Sequence, residues 1–348
     1  MMSREDTDSL MVVAREALRL KASAMVSISP FEGRGSDRSF YRVTWNGTGS
    51  AILIRYNPSR VENTYYAEID LFLRDIGVAV PELILHDPAR CLMVMEDLGD
   101  TDLWSLRGSA WETRRTLYQK TLGVAHRLHS FPEGDFPSRR VRLMQGFNLD
   151  LYRWERDYFR VNFVEALCGV TIEPALEMEM EMELTALAER LHAGRRSLLH
   201  RDLQSQNVMI RNREPFLIDF QGMRFGNPLY DLGSLLCDPY IGFSNDEREN
   251  LLSFYYRLTD RDHNWRDWQT FRMHFWEASA QRLMQALGAY GFLGLRKGLT
   301  SYLEHVPAGL RILRDAAFNA PSLPRLRDVL EICQKAIVQR RPPEGSLL

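Results

Sequence analysis

Lysine is nearly missing from this chain. Of its 44 lysines and arginines, only Lys21, Lys120, Lys297 and Lys335 are lysines, and none falls between residues 22 and 119. Any basic chemistry in the first third must therefore use arginine, whose planar fork is not a neutral exchange for a compact ammonium. An excess of one charge sign is missing too. The formal net charge is -2 in 348 residues, which leaves no broad basic field for nucleic acid, so no such partner is expected. No run of 18 apolar residues occurs, so no membrane span is expected. The start, Met1 to Asp6, turns acidic early and is followed by no signal-peptide core. Cys91, Cys168, Cys237 and Cys333 show no C-x-x-C spacing and read as reduced thiols, mostly buried, rather than a metal framework. No internal repeat or low-complexity run appears. These absences fit a cytoplasmic protein.

What is present is a polar block between two short apolar runs. Leu198-Leu199-His200-Arg201-Asp202-Leu203-Gln204-Ser205-Gln206-Asn207-Val208-Met209-Ile210 contains H-R-D-L-x-x-x-N, and Phe216-Leu217-Ile218-Asp219-Phe220-Gln221 contains D-F-x. The flanking runs are too short for helices and read as strands. Phosphoryl transfer from a nucleotide needs a carboxylate for the acceptor hydroxyl, and an amide oxygen and a second carboxylate for magnesium. Asp202 is the candidate catalytic residue; Asn207 and Asp219 are the candidate metal ligands. ATP and Mg²⁺ are the implied cofactors. The plainer reading is a buried polar turn with Asp219 as a strand-end cap, but it leaves the compound spacing unexplained.

Upstream, Leu10, Val13, Ala14, Ala17 and Leu18 have helical spacing. Tyr41, Val43 and Trp45 alternate as a half-buried strand should, Asn46-Gly47-Thr48-Gly49 reads as a hairpin turn, and residues 51–56 return. Between helix and hairpin lie Gly33, Gly35, Ser36 and Ser39, whose backbone N–H groups and hydroxyls could meet phosphate oxygens. Alone, Gly33-x-Gly35 reads equally as an ordinary turn, and Arg38 stands where the third glycine of G-x-G-x-x-G would be. Arg55 occupies the position of the usual phosphate-pairing lysine. Glu68, in an amphipathic helix over 62–76, is its candidate ion partner. The run Cys91 to Met95 leads into Glu96-Asp97-Leu98-Gly99, so the main chain of Met95, Glu96 and Asp97 is the candidate adenine edge. Ser109 to Glu112 and Ser244 to Glu247 both read as capping boxes. His126 and His129 read as helix-face residues, with no third ligand at metal spacing.

The H-R-D and D-F blocks resemble the aminoglycoside phosphotransferase-like branch of the kinase superfamily, which phosphorylates small molecules; Gln221 in place of glycine leans away from protein kinases. Gly35 to Arg42, Ile218 to Gln221, Tyr230 to Leu236 and Gln281 to Gly288 are similar to the anomeric N-acetylmuramate/N-acetylglucosamine kinases of cell-wall sugar recycling. That resemblance covers roughly residues 30–315. Gly222 departs from it, because an acidic residue often follows the D-F-Q glutamine in that subgroup. The resemblance implies an α+β, bilobal protein-kinase-like fold, with a small antiparallel-sheet lobe over 1–97 that covers ATP and a larger, mainly helical lobe over 98–348 that carries the chemistry. It also implies a small-molecule acceptor, an amino sugar first, with aminoglycoside, choline-like and homoserine-like acceptors as alternatives. Asp231, with His200 and Arg201, is implied to brace the catalytic loop. A nucleotide-binding scaffold without catalysis is the rival of a different class.

Overall fold

Alternation in the first hundred residues becomes one sheet. The computed structural model describes residues 4–31, 38–260 and 265–340. In chain order the first elements are α1 (Arg4–Ala17), β1 (Val26–Phe31), β2 (Ser39–Trp45), β3 (Gly49–Arg55), α2 (Tyr66–Asp75), β4 (Leu83–Asp87) and β5 (Leu92–Glu96). The strands pair antiparallel in the order β1-β2-β3-β5-β4. Side chains alternate across a strand, so Tyr41, Val43, Ala51, Leu53, Leu92 and Val94 share one face and bury Leu10, Val13 and Ala14 of α1. Each fully buried aliphatic side chain there stabilises the unit by roughly 2 kcal/mol. The opposite face carries Ile52, Ile54, Met93 and Met95; on it the Tyr66 hydroxyl of α2 donates to the Met95 sulfur at 3.7 Å. The hairpin turn forms at Asn46 (φ +52°) and Gly47 (φ +75°), the left-handed backbone that this pair tolerates.

The chain continues through α3 (Trp111–His129), α4 (Leu149–Phe159), α5 (Pro174–Ala193), β6 (Ser197–Leu199), β7 (Val208–Arg211), β8 (Glu214–Leu217), β9 (Arg224–Gly226), α6 (Leu229–Leu236), α7 (Asn245–Asp260), α8 (Trp268–Gly291), α9 (Val306–Asn319) and α10 (Pro324–Arg340). After α4 a π-helical stretch runs over Arg160–Leu167. The fold is α+β and kinase-like, as expected, but the chain does not divide once after residue 97. One compact unit comprises residues 1–103, 137–144 and 207–222; the other comprises 104–136, 145–206 and 223–348. Each unit is thus built from three separate segments.

The first unit includes the β7–β8 hairpin. Its backbone is tied to neighbouring segments by Leu103 N to Val208 O at 3.0 Å, Ile210 N to Thr101 O at 2.8 Å and Leu217 N to Ala79 O at 2.9 Å. The second unit is helical around α8, whose residues Phe271, Phe275, Ala278, Leu283 and Leu287 are buried. Its neighbours include α4, α6 and α9. A Cβ at Gly233 of α6 would lie 2.9 Å from the Ser279 Cα, so this helix pair needs the bare backbone there.

Candidate active site

In the second unit the H-R-D segment follows β6 and hangs from one buried carboxylate. Asp231, in the first turn of α6, accepts the N–H of His200 at 2.7 Å and of Arg201 at 2.8 Å. The Nε2 of His129 lies 3.1 Å from the same carboxylate, and its Nδ1 lies 2.7 Å from the Tyr255 hydroxyl. His129 is therefore a buried brace at the end of α3. These bonds hold Arg201 at φ +78°, a conformation that costs a non-glycine residue about 1 kcal/mol or more. The expected bracing role of Asp231 is thus seen directly.

Asp202 follows with its side chain 27% exposed. Its Oδ1 accepts from Gln204 Nε2 at 2.6 Å and from Arg282 Nη2 at 2.8 Å, while Arg201 Nη1 lies 3.6 Å from Oδ2. Arg282 is nearly buried on α8; its Nε donates to Ser234 Oγ at 2.5 Å and its Nη1 reaches Gln285. Burial works to lower the Arg282 guanidinium pKa, but the Asp202 carboxylate and its other neighbours outweigh burial and hold it above its ordinary value. A second clamp is Asp238, buried, which accepts from Ser205 N at 2.8 Å, Ser205 Oγ at 2.5 Å and Tyr240 N at 2.9 Å. Burial pushes this carboxyl upward, and those bonds oppose it. The arrangement can fix a half-exposed carboxylate in one orientation.

In the first unit Ile218 N donates to Asn207 O at 3.0 Å, which sets the backbone of Asn207 against the residue before Asp219. Asp219 has φ +63°. Its Oδ1 accepts from Gln221 Nε2 at 2.8 Å and pairs with the Arg38 guanidinium, the two side chains being 30% and 9% exposed. Phe220 is buried against Tyr66, ring centroids 4.5 Å apart. Among the described residues no group of three or more His, Cys, Asp or Glu side chains could hold a metal ion. One carboxylate and one amide are nonetheless hard oxygen donors of the kind that suits Mg²⁺, which keeps waters and substrate phosphates in its other positions. Arg38 sets a cation on Asp219 Oδ1, where a divalent ion would act. The donor set fits.

The remaining candidates divide. Gly33, Gly35 and Ser36 lie outside the described residues. Ser39 opens β2, exposed, opposite Arg55 in the register. Met95 is buried in β5. Glu96 pairs with Arg211, and its main chain bonds Glu82 O at 2.8 Å. Asp97 is held by Arg42 Nε at 2.8 Å and accepts from Gly99 N at 2.9 Å. Arg55 and Glu68 are not brought together as expected. By register Arg55 pairs with Leu92 and shares the face of Ala51 and Leu53, which packs on α1. Glu68 instead accepts from Arg142, at 3.0 Å from the main-chain N and 3.0 Å from Nε, and Arg142 holds its carboxyl below the ordinary value. Sequence reasoning missed Arg38, Arg142, Arg282, Gln204 and Asp238. Of these, Arg38 and Arg282 lie in the Gly35 to Arg42 and Gln281 to Gly288 segments that carry the resemblance, and Gln204 lies in the H-R-D block itself.

The N-acetylmuramate/N-acetylglucosamine kinase of Pseudomonas putida is 23% identical over 302 residues, covering 85% of this chain and 86% of its own. Among solved structures, a choline/ethanolamine kinase family protein from Mesorhizobium loti superposes with TM-score 0.59 at 18% identity, covering 94% of this chain and 99% of its own. ADP-bound aminoglycoside phosphotransferase APH(2'')-Ib gives TM-score 0.55 at 13% identity, covering 88% and 98%. At these identities the two structures establish the fold alone. A family model described as a phosphotransferase enzyme family matches residues 27–274, well over half of the sequence. That span takes in Asp202, Asn207, Asp219 and all but the first residue of the five-stranded sheet, and the chain belongs to the phosphotransferase enzyme family.

Proposed function

We propose that this phosphotransferase uses Mg·ATP to phosphorylate an amino sugar of the N-acetylmuramate or N-acetylglucosamine type at its anomeric hydroxyl. The observation that carries the reading is the Asp202 carboxylate, half-exposed, with Oδ1 held by Gln204 and Arg282 on a loop anchored by Asp231. The choice of sugar rests on the name of the Pseudomonas putida relative. Asp202 orients the acceptor hydroxyl and takes its proton as the oxygen attacks the terminal phosphorus and the bond to the departing ADP oxygen breaks. Asn207 and Asp219 hold Mg²⁺, which when bound neutralises charge on the phosphates. The main chain of Met95 to Asp97 receives adenine, and Gly33, Gly35, Ser36 and Ser39 serve the phosphates. Catalysis of this kind is mostly positioning and charge neutralisation. The four free thiols, three of them buried, fit a reducing cytoplasm.

The test is ATP consumption across amino sugars, neutral sugars, aminoglycosides, choline and homoserine. The expected outcome is turnover with N-acetylated amino sugars and a product phosphate that is acid-labile and alkali-stable, as an anomeric phosphate is. Preferred turnover of choline or an aminoglycoside overturns the substrate assignment. No turnover with any acceptor, alongside intact Mg·ATP binding, points to a scaffold.

A further inference from the structure

We propose that Arg38 supplies the positive charge that this chain places on the nucleotide's phosphates, and that it does so by moving from Asp219 to the phosphates as the divalent cation takes the carboxylate. The proposal rests on the Mg·nucleotide reading above. It starts from an imbalance: no lysine occurs between residues 22 and 119. Arg55, at the position of the usual phosphate-pairing lysine, shares the α1 face of the sheet with Ala51 and Leu53. Glu68, the residue that would have oriented it, is taken by Arg142.

Arg38 is placed differently. It immediately precedes β2, at the end of the glycine-containing segment, and its guanidinium reaches across 181 positions of sequence to Asp219 Oδ1. Continuing the β2 alternation, it shares a parity with Phe40 and Arg42, away from the α1 core residues Tyr41 and Val43. Its guanidinium carbon stands 5.4 Å from the centroid of the Phe40 ring. Tyr66, whose hydroxyl meets Met95 on that same face, feels the charges of both Arg38 and Asp219. Asp219 is also the carboxylate assigned to the metal, so the two cations compete for one oxygen. A guanidinium displaced by Mg²⁺ keeps its fork of donors, and phosphate oxygens are the anions it is shaped to receive. The exchange moves one cation onto the carboxylate as another leaves it, so no bare charge is created.

A structural brace and an exchanging cation predict opposite metal behaviour. Calorimetric titrations of the full chain, wild type and Arg38→Gln, are made with Mg·ATP, with AMP and with Mg²⁺ alone. Arg38→Gln is expected to weaken Mg·ATP by about 10- to 100-fold, the range for losing charged hydrogen bonds to phosphate. AMP binding, which lacks the outer phosphates, should change little. Mg²⁺ alone should bind at least as tightly as in wild type, because its competitor is gone. Arg38→Lys should fall between the two, keeping the charge without the fork. The loss of Mg·ATP affinity should be larger in Arg38→Gln than in Arg55→Gln. Unchanged Mg·ATP affinity in Arg38→Gln, weaker Mg²⁺ binding, or the reverse ranking against Arg55→Gln each overturns the proposal. A wild-type protein that binds no Mg·ATP overturns the functional reading itself, and this proposal with it.

Discussion

Asp202 and Asp219 are similarly exposed carboxylates, 27% and 30%, and each is gripped through Oδ1 by an arginine that is itself under 10% exposed. The difference lies in what holds the arginine. Arg282 sits within a buried helix, with Nε on Ser234, Nη1 on Gln285 and Nη2 on Asp202. Arg38 belongs to no helix and immediately precedes β2, with its guanidinium on Asp219 and 5.4 Å from the centroid of the Phe40 ring. The first pair is a fixture, because moving Arg282 from its packed helix would break its bonds to Ser234, Gln285 and Asp202 together. The second pair is exchangeable, because phosphate offers Arg38 an equal partner. An ion pair's distance therefore does not define its job; the anchoring of the cation does.

The largest effects should separate the two carboxylates. Asp219→Ala should abolish Mg·ATP turnover and strongly weaken Mg·ATP binding in a protein that stays folded. Asp202→Asn should lower kcat by about 10²- to 10⁴-fold, the usual scale for a positioned proton acceptor, and leave Mg·ATP affinity largely intact. Steady-state kinetics with parallel calorimetry reads both. Near-native turnover in Asp219→Ala, or lost nucleotide affinity in Asp202→Asn, would collapse the distinction between a metal ligand and an acceptor-side group.

Next comes the fixture itself. Arg282→Lys keeps the charge but cannot serve three acceptors arranged around a planar fork. We expect kcat to fall roughly tenfold, in line with the loss of one charge-assisted bond. KM for ATP should be unchanged, and the melting temperature should drop by about 2–4 °C per kcal/mol lost. Arg282→Leu should lose more of both. A stable Arg282→Lys protein with unaltered kcat would make the Asp202 contact incidental.

Local pattern carried much of this architecture. The β2–β3 hairpin was readable from Tyr41, Val43 and Asn46-Gly47 because strand period and turn chemistry are short-range. Ser244 and Glu247 form the expected reciprocal cap, at 3.2 Å and 3.1 Å. Ser109 does not cap its helix, because α3 starts one residue later than the motif suggested and Ala110 takes the cap position. Asp231 was readable as the loop's anchor, whereas its third partner His129, 102 positions away, was not. Pairings such as Arg38 with Asp219, Arg142 with Glu68 and Arg282 with Asp202 join residues 74 to 181 positions apart, and nothing in a window of ten residues encodes them. Arg55 and Glu68 stand apart for the same reason: Glu68 takes a partner 74 positions away.

A third carboxylate lacks any such arginine, and it sharpens the comparison at the smallest scale. Asp70 of α2 is fully buried, and neither oxygen has a hydrogen-bond partner among the described residues. Burial pushes its pKa up to about 7; Arg74 pulls it down and Glu82 pushes it up, both more weakly than burial. The folded chain then holds a proton on Asp70 that the unfolded chain, with an ordinary value of 3.8, has lost. Between these values the folded state binds more protons, so this group's contribution to stability falls as pH rises from about 4 to about 7 and is level above that. Asp70→Asn removes the titration while keeping the shape. It should match wild type in stability at pH 5 and be more stable by roughly 3 kcal/mol at pH 8, read from urea unfolding at both values. Wild type being the more stable at pH 8 would mean that a cation does reach Asp70, and that all three carboxylates are paired alike.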